Sequence, residues 1–275
     1  MFIVQKIRCL AASLSICVLT VHPTSLLADP TMIVDPSMSA ATTSEFQSAF
    51  STALDDYRRY LGYEFPSSVV AVVSDRPEFV ARQYADRRNA NYAQKLQSFQ
   101  QWIYGEATYR GIYYNLSNRE YNNRADTTVR QNRIRSINHE LFHILQYELV
   151  GTRSRNCCVP DRVPSVGPIW LMEGSASYFA RVIGGERIND YIRFSRGQVR
   201  NLGGRNLDFL EIRRGMNEIQ NGYEISAYAT HLLVEQNGAN SVIQFYQLLG
   251  QTGNWQSSFE AAFGQTPQQF YATFR

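Results

Sequence analysis

The sequence predicts an α+β protein, with a small N-terminal β-containing lobe and a helical C-terminal lobe. Apolar residues first recur at helical spacing, short strand-like runs follow before residue 117, and helical patterns then continue to the C-terminus. No internal repeat is present. The chain has 275 residues, 44% hydrophobic and 19% charged, which is enough to bury a sizeable core and excludes a disordered or fibrous protein.

The N-terminal elements follow from local patterns. Phe46, Phe50, Leu54 and Tyr57 share one helical face, and the clearest strand is a β-branched run at 69–73. The predicted order is a helix over 43–61, a strand over 69–73, a helix over about 77–103 with a break near 88–91, and one or two strands over 105–116.

Glycine and proline mark the boundaries of the C-terminal elements. Gly151 ends the longest predicted helix, and Thr266 opens the last one with a Thr-x-x-Gln capping box and Pro267 at the first helical position. The predicted order is a helix over about 128–150, a loop over 151–168, and helices over 169–183, 223–236, 241–249, 255–263 and from Pro267 onward.

Residues 1–28 have the pattern of a secretory signal peptide. Lys6 and Arg8 provide a positive start, an apolar stretch follows at 9–21, and Ala28 ends a small-residue cleavage site. An uncleaved membrane anchor is the alternative, although the apolar stretch is short for a bilayer span. We therefore expect a secreted or periplasmic protein with no stable membrane insertion once the leader is removed.

The rest of the chain is expected to form one domain. Prolines and small residues at 29–42 predict a flexible lead-in. Residues 43–275 then form a single domain of two lobes, at about 43–151 and 152–275.

Charge and cysteine content exclude two classes of protein. Without Lys6 and Arg8 the net charge falls from +3 to +1, and no basic run is present, so nucleic acid is not an expected partner. Outside the leader, Cys157 and Cys158 are adjacent. The chain is therefore not a disulfide scaffold, and the pair lacks Cys-x-x-Cys spacing. A strained vicinal disulfide and two reduced thiols both remain open.

An HExxH motif lies in the strongest predicted helix. His139 and His143 are four residues apart, which places both imidazoles on one helical face where they can reach a single metal ion. Glu140 is turned about 100° from His139, where it can activate a water molecule without ligating the metal. The competing interpretation is two surface histidines beside a solvated Glu, but the apolar residues around the motif predict a buried position that a metal would explain.

Glu173 is the candidate third ligand. It is a single acidic residue in the apolar segment IWLMEGSASY at 169–178, and the small residues after it would let this helix approach the first one closely. A buried carboxylate is costly unless it is compensated, for example by a metal ion. Two His, one Glu and a water form an open catalytic Zn²⁺ site.

Together, HELFH and WLMEGSASYFA resemble the gluzincin metallopeptidases of the peptidase MA clan, which include thermolysin, aminopeptidase N and bacterial collagenases. The resemblance is greatest to small bacterial peptidase MA-like proteins and extends over about residues 69–274. It implies a zincin-like fold with the zinc site in the cleft between the lobes. It also implies that His139, His143 and Glu173 bind Zn²⁺ and that Glu140 is the general base.

The same resemblance implies a role for Tyr223. The segment YEISA at 223–227 is similar to a stretch whose Tyr donates a hydrogen bond to the oxyanion, and Tyr228 and His231 are fallback donors. An ordinary helix-surface tyrosine is the alternative. Ser177 stands where thermolysin-like proteins have an Asp, so the side chain that orients a zinc-bound His is not identified.

These features predict a secreted or periplasmic zinc-dependent peptidase acting on peptides or proteins. The Gly-x-Met-Glu-Asn segment of aminopeptidases is absent, and GEATY at 105–109 stands in that region, which favours an endopeptidase. The strand at 111–116 is the candidate edge strand for an extended peptide, with an ordinary sheet strand as the alternative. The other hypotheses are a catalytically inactive zinc-containing envelope binding protein and a helical domain with a coincidental HExxH.

Overall fold

The computed structural model describes residues 29–101, 104–117, 127–151 and 161–274. The predicted signal peptide and the Cys157–Cys158 pair lie outside the described residues. In the described part of the chain, no helix is both long enough and apolar enough to cross a membrane.

The first half of the chain contains the sheet, and the second half is helical. The first elements are β1 (Thr31–Val34), α1 (Ala40–Leu61), β2 (Val70–Ser74), α2 (Pro77–Arg88), α3 (Tyr92–Gln101), β3 (Gly105–Thr108), β4 (Gly111–Asn115) and α4 (Thr127–Val150). They are followed by α5 (Ile169–Ile183), α6 (Ile188–Gln198), 3-10 turns at Val199–Leu202 and Leu207–Leu210, α7 (Arg213–Glu218), α8 (Gly222–Asn237), α9 (Asn240–Thr252), α10 (Trp255–Phe263) and α11 (Pro267–Thr273). This confirms an α+β protein with a helical bulk and one small sheet.

The strands are ordered β1-β2-β4-β3 in the sheet. Strands β1, β2 and β4 are parallel, whereas β3 runs antiparallel to β4. The expectation that the strand at 111–116 is the edge strand is therefore wrong, because β4 is paired on both sides and β3 lies at the edge. Residues 111–115 are buried throughout, as expected of a strand paired on both sides, but pairing partners are not encoded in a local pattern.

The predicted flexible lead-in at 29–42 is also wrong. Strand β1 pairs with β2 in parallel, and α1 already begins at Ala40, where the Ser39 hydroxyl accepts a hydrogen bond from the backbone N–H of Thr42. The side chain of Asp35, directly after β1, accepts hydrogen bonds from Ser74, the last residue of β2, and from Arg76 just beyond it. These tertiary contacts order a strand of four residues, which is too short to show a period of its own.

Alternate side chains of the central strands enter two different cores. Ala71 and Val73 belong to a large apolar cluster that extends from α1 to α11, so the two predicted lobes share one core. Val72 and Tyr113 instead belong to a smaller cluster beneath α2 and α3. The sheet therefore lies between α2–α3 on one face and the helical bulk, which includes α1 and α4, on the other.

Helix α5 packs in the middle of the helical bulk, against α4 and α8. A Cβ added at Gly174 would lie 2.2 Å from the carbonyl oxygen of Ser226, so glycine is required for the close approach of α5 to α8. The small residues after Glu173 were expected to serve the approach to α4. At Gly174 the close neighbour is α8.

Most predicted helix boundaries are confirmed. The helix over 77–103 is broken by Asn89, whose φ of 50° is left-handed, and the capping box of α11 is formed by Thr266 and Gln269. Helices α6 and α7 were not predicted. Their arginine-rich segments follow Gly185 and show only short apolar patterns.

Candidate metal centre

Three side chains from two buried helices converge on one point. Helix α4 presents His139 and His143, whose Nε2 atoms are 3.0 Å apart. Helix α5 presents Glu173, whose Oε2 lies 3.3 Å from Nε2 of His139 and 3.2 Å from Nε2 of His143. The structure thus brings together the three residues that the sequence predicted as ligands.

These separations fit a metal ion. Ligand atoms held at about 2.05 Å in a tetrahedron are about 3.3 Å apart, close to the spacing of the three side-chain atoms. Among the described residues, this is the group of His, Cys, Asp and Glu side chains that could hold a metal ion. His143 and Glu173 are buried, and His139 is partly exposed, so the position is open on one side.

The electrostatics of the cluster favour an added cation. Burial alone would lower the pKa of His143, but the charge of Glu173 and the hydrogen bond to it raise that pKa to about 9. Burial alone would raise the pKa of Glu173, but Arg213 and His143 hold it well below its usual range. The carboxylate is therefore ionised and draws positive charge to the ring nitrogens, where a metal ion can take the place of a proton.

His143 is held by a residue that sequence reasoning missed. Its Nδ1 lies 2.7 Å from Oε1 of Gln146, and Nε2 of Gln146 donates to the carbonyl of Met172 and lies 2.9 Å from the hydroxyls of Ser175 and Tyr246. Because the Met172 carbonyl only accepts, Oε1 of Gln146 must face the imidazole, and Nδ1 of His143 carries the hydrogen. Nε2 is therefore the ring nitrogen that faces the cluster, and it can ligate a metal ion once its proton is displaced. A polar residue three positions after His143 in a buried helix was the available signal.

His139 has a weaker partner. The hydroxyl of Ser177 lies 3.4 Å from Nδ1 of His139. The side chain that orients His139 was not identified from the sequence, and the structure places the neutral hydroxyl of Ser177 beside this ring nitrogen. Both histidines are thus oriented by uncharged side chains.

Arg213 is the second residue that sequence reasoning missed. It begins the short helix α7, and its Nη2 donates to Oε1 of Glu173 at 2.8 Å. The guanidinium therefore occupies one oxygen of Glu173 and leaves the other, Oε2, facing the histidines. No sequence pattern marks Arg213, because its contact with α5 depends on how α7 docks.

Tyr223 lies beside the cluster at the start of α8. Its hydroxyl accepts a hydrogen bond from Nη1 of Arg213 at 3.3 Å, and its ring centroid is 6.3 Å from that of His139. The residue is 41% exposed and lines the cleft at the metal centre. The charge of Glu173 and burial raise the pKa of Tyr223, so the hydroxyl keeps its proton at neutral pH.

The two fallback donors lie elsewhere. Nε2 of His231 is 3.1 Å from Glu235, and its ring contacts those of Tyr178 and Tyr228. Neither Tyr228 nor His231 is among the residues that line the cleft at the metal centre.

The cleft consists of two chambers that meet at the metal centre. The large chamber, about 1060 Å³, and the small chamber, about 300 Å³, share four wall residues: Gly105, His139, Glu140 and Tyr223. The large chamber is also lined by Tyr104, Asn132, Arg135, Ser136, Ser177, Arg181 and Asn217. The small chamber is also lined by Lys95, Glu106, Ala107, His143, Tyr147, Met172, Glu173 and Arg213.

Glu140 lies between the edge strand and the cluster. A Cβ added at Gly105 in β3 would lie 2.9 Å from both Cγ and Oε1 of Glu140, so the absence of a side chain at Gly105 makes room for the carboxylate. Burial raises the pKa of Glu140, with the neighbouring histidines acting in the opposite direction. This carboxylate touches both chambers but is not one of the three converging groups.

No protein-family model, curated protein or solved structure matches the chain. The chemistry of the site therefore has to follow from its own residues and distances.

Proposed function

We propose that the protein is a secreted or periplasmic zinc-dependent peptidase of the gluzincin type. The observation that carries this proposal is the convergence of His139, His143 and Glu173 within 3.0 to 3.3 Å of one another in an open cleft, with Glu140 beside them. The signal-peptide pattern of residues 1–28 supports the location outside the cytoplasm.

Zinc is the ion that suits the donor set. Two imidazole nitrogens and one carboxylate oxygen, with a fourth position open to the cleft, are typical of catalytic zinc. Bound there, Zn²⁺ would act as a Lewis acid toward the scissile carbonyl and lower the pKa of the attacking water.

Glu140 and Tyr223 supply the proton chemistry. The Glu140 carboxylate accepts a proton from the attacking water and returns it to the leaving amine, and its raised pKa suits a base that works near neutral pH. The protonated hydroxyl of Tyr223 donates to the oxyanion that forms at the carbonyl. Arg213, which donates to the oxygen of Tyr223, leaves the phenolic hydrogen free to point into the cleft.

Strand β3 offers a place for the substrate. Its residues Gly105, Glu106 and Ala107 line the chambers, and β3 lies at the edge of the sheet, where an extended peptide can pair as a further strand. A peptide bound in this way passes Glu140 with a chamber on either side. This two-sided cleft supports an endopeptidase over an aminopeptidase, which would need the cleft to end near the substrate's amine.

The decisive test is the substitution Glu140→Gln. We expect the variant to retain one zinc per chain and to lose peptide hydrolysis by about 10²- to 10⁴-fold, the usual contribution of a general base. Casein or quenched fluorescent peptides measure hydrolysis, and metal analysis measures zinc. Glu148→Gln is the matched control, because Glu148 lies on the same helix, pairs with Arg110 and does not line the chambers.

The other hypotheses give different results. Equal cleavage by the wild type and Glu140→Gln would overturn the mechanism. Full zinc content with no cleavage by the wild type would favour the zinc-containing envelope binding protein, and a chain that binds no zinc would favour a coincidental HExxH.

A further inference from the structure

The two chambers differ in how their charges are balanced. In the small chamber each cation has a carboxylate in the same wall: Lys95 is 2.7 Å from Glu106, and Arg213 is 2.8 Å from Glu173. In the large chamber the cations are Arg135 and Arg181, and the acidic residue in its wall is Glu140, which is assigned to catalysis.

Arg135 and Arg181 share one carboxylate, that of Glu186. Arg135 binds Glu186 with two hydrogen bonds, of 2.8 and 2.9 Å, whereas Nε of Arg181 is 3.8 Å from Glu186. Glu224 is a second acidic residue whose charge acts on Arg181, although the two are not paired. The guanidinium of Arg181 is therefore paired only weakly within the chain and can bind the carboxylate of a ligand.

Arg181 is built into the wall and is not free to move into solvent. Its side chain is 12% exposed, its guanidinium lies 3.4 Å from the centre of the Tyr191 ring, and Nη1 donates to the carbonyl of Ser177. Burial is the main cause that lowers the pKa of Arg181, with Tyr191 and two carboxylates acting against it, and the charge of Arg135 adds to the lowering because the two cations line the same chamber. An anion bound at this wall would relieve their repulsion.

The distance from the metal centre fits a peptide subsite. Glu173, Ser177 and Arg181 recur every four residues on one face of α5, so the backbone of Arg181 is about 12 Å from that of Glu173. A helical side chain leans toward the N-terminus of its helix, which brings the guanidinium back toward the metal centre. An extended peptide covers this distance in about two to four residues.

We propose that Arg181 and Arg135 form a carboxylate-binding subsite in the large chamber. It takes a peptide carboxylate two to four residues from the scissile bond on that side, either an Asp or Glu side chain or the C-terminal carboxylate. This inference rests on the proposed peptidase function. Asn132, Ser136 and Asn217 supply uncharged donors around the same chamber.

The first experiment uses the zinc-loaded wild-type protein and a mixed peptide library, with cleavage sites mapped by mass spectrometry. We expect Asp and Glu to be enriched over Asn and Gln at one subsite. A cleaved peptide is then compared with its Glu→Gln counterpart, and its C-terminal acid with the corresponding amide, which separates the two sources of carboxylate. We expect kcat/KM to fall about tenfold or more in one of these pairs, as for a lost hydrogen bond to a charged group.

The second experiment uses variants and reads the ratio of kcat/KM between the acidic and neutral peptides. In Arg181→Gln we expect this ratio to fall to about one. Arg135→Gln, which leaves the stack on Tyr191 in place, tests the subsite if Arg181→Gln does not fold. Arg193→Gln is the control with an unchanged ratio, because Arg193 is 81% exposed and does not line the chamber.

The subsite would be overturned if the wild type showed a kcat/KM ratio near one for both peptide pairs, acidic against neutral and acid against amide. It would also be overturned if both arginine variants kept the wild-type ratio. If the wild type cleaves no peptide, the subsite is tested by peptide binding instead. Fluorescence anisotropy of a labelled alanine-rich decapeptide with Glu at alternate positions, against its Gln counterpart, is measured with the Glu140→Gln protein. If the Glu peptide binds more tightly than the Gln peptide, and adding Arg181→Gln removes the difference, the subsite stands although the peptidase proposal fails. Equal binding of the two peptides would overturn the subsite.

Discussion

Asp35 at the end of β1 and Glu173 in α5 are both buried carboxylates that accept hydrogen bonds from an arginine. The oxygens of Asp35 accept from Arg76, from the Ser74 hydroxyl and from the backbone and side chain of Ser37. Every partner of Asp35 is a hydrogen donor supplied by the chain, so its charge is satisfied within the fold.

Glu173 has an arginine donor on one oxygen only. Arg213 occupies Oε1, while Oε2 faces the Nε2 atoms of His139 and His143. Because the Nδ1 hydrogen of His143 points to Gln146, Nε2 of His143 meets Oε2 of Glu173 through an added proton, and a metal ion can take the place of that proton. Both carboxylates are buried, so burial does not distinguish them. The groups that face each oxygen do: they mark Asp35 as structural and Glu173 as a candidate metal ligand.

The largest effect is expected when the candidate metal ligand Glu173 is removed. Glu173→Ala should lower zinc affinity by more than about 100-fold, since changes to the groups that merely orient ligands already cost up to that much. Competition with a fluorescent chelator measures the affinity. Asp35→Asn is the control that should leave zinc affinity unchanged. One tightly held zinc per chain in Glu173→Ala would show that Glu173 is not a ligand.

Asp35→Asn should instead lower stability. We expect a loss of about 1.5 to 3 kcal/mol in the free energy of unfolding at pH 7, because hydrogen bonds to a charged group are lost. Arg76, Ser74 and Ser37 hold the pKa of Asp35 below its usual value, so its contribution is present above about pH 4 and is lost as the pH falls further.

Urea denaturation at pH 7 and at pH 2.5 checks this expectation. The difference between the wild type and Asp35→Asn should shrink at the lower pH, provided both remain folded without urea. A difference that is constant across this range would contradict an ionised Asp35 as its source.

The smallest effect is expected at Arg213. Arg213→Met should weaken zinc affinity or kcat/KM by about 10- to 100-fold, because Glu173 would lose the donor that holds Oε1 away from the ion. Arg213→Lys should restore part of the loss. Arg214→Met is the matched control, since Arg214 is 61% exposed and pairs with Asp161. Equal effects of Arg213→Met and Arg214→Met would assign the loss to helix α7 as a whole.

Sequence patterns identified the three side chains that cluster in the structure, but not the residues around them. His139 and His143 share a helical face by spacing alone, and Glu173 is conspicuous as a single charge in an apolar helix. Gln146 and Arg213 act through contacts that span 26 and 40 residues, and such contacts exist only after the helices have packed.

The fold shows the same difference between features set by local sequence and features set by long-range contacts. Helices α4 and α5 are long and each ends directly before a glycine, so their limits could be predicted to within a residue. Strand β1 has four residues, and its existence depends on the free edge of β2. The identity of β3 as the edge strand is likewise a property of the assembled sheet.

The placement of His143 on α4 and Glu173 on α5 has a consequence for folding. An ion held by both side chains would act as a crosslink that closes a loop of the chain, in the way that a disulfide does. Because the unfolded chain cannot keep these groups within 3.2 Å of each other, the ion would bind the folded protein preferentially. Each tenfold increase in free zinc above its Kd would then add about 1.4 kcal/mol to the free energy of unfolding, so the protein's resistance to heat would report the zinc supply of its compartment.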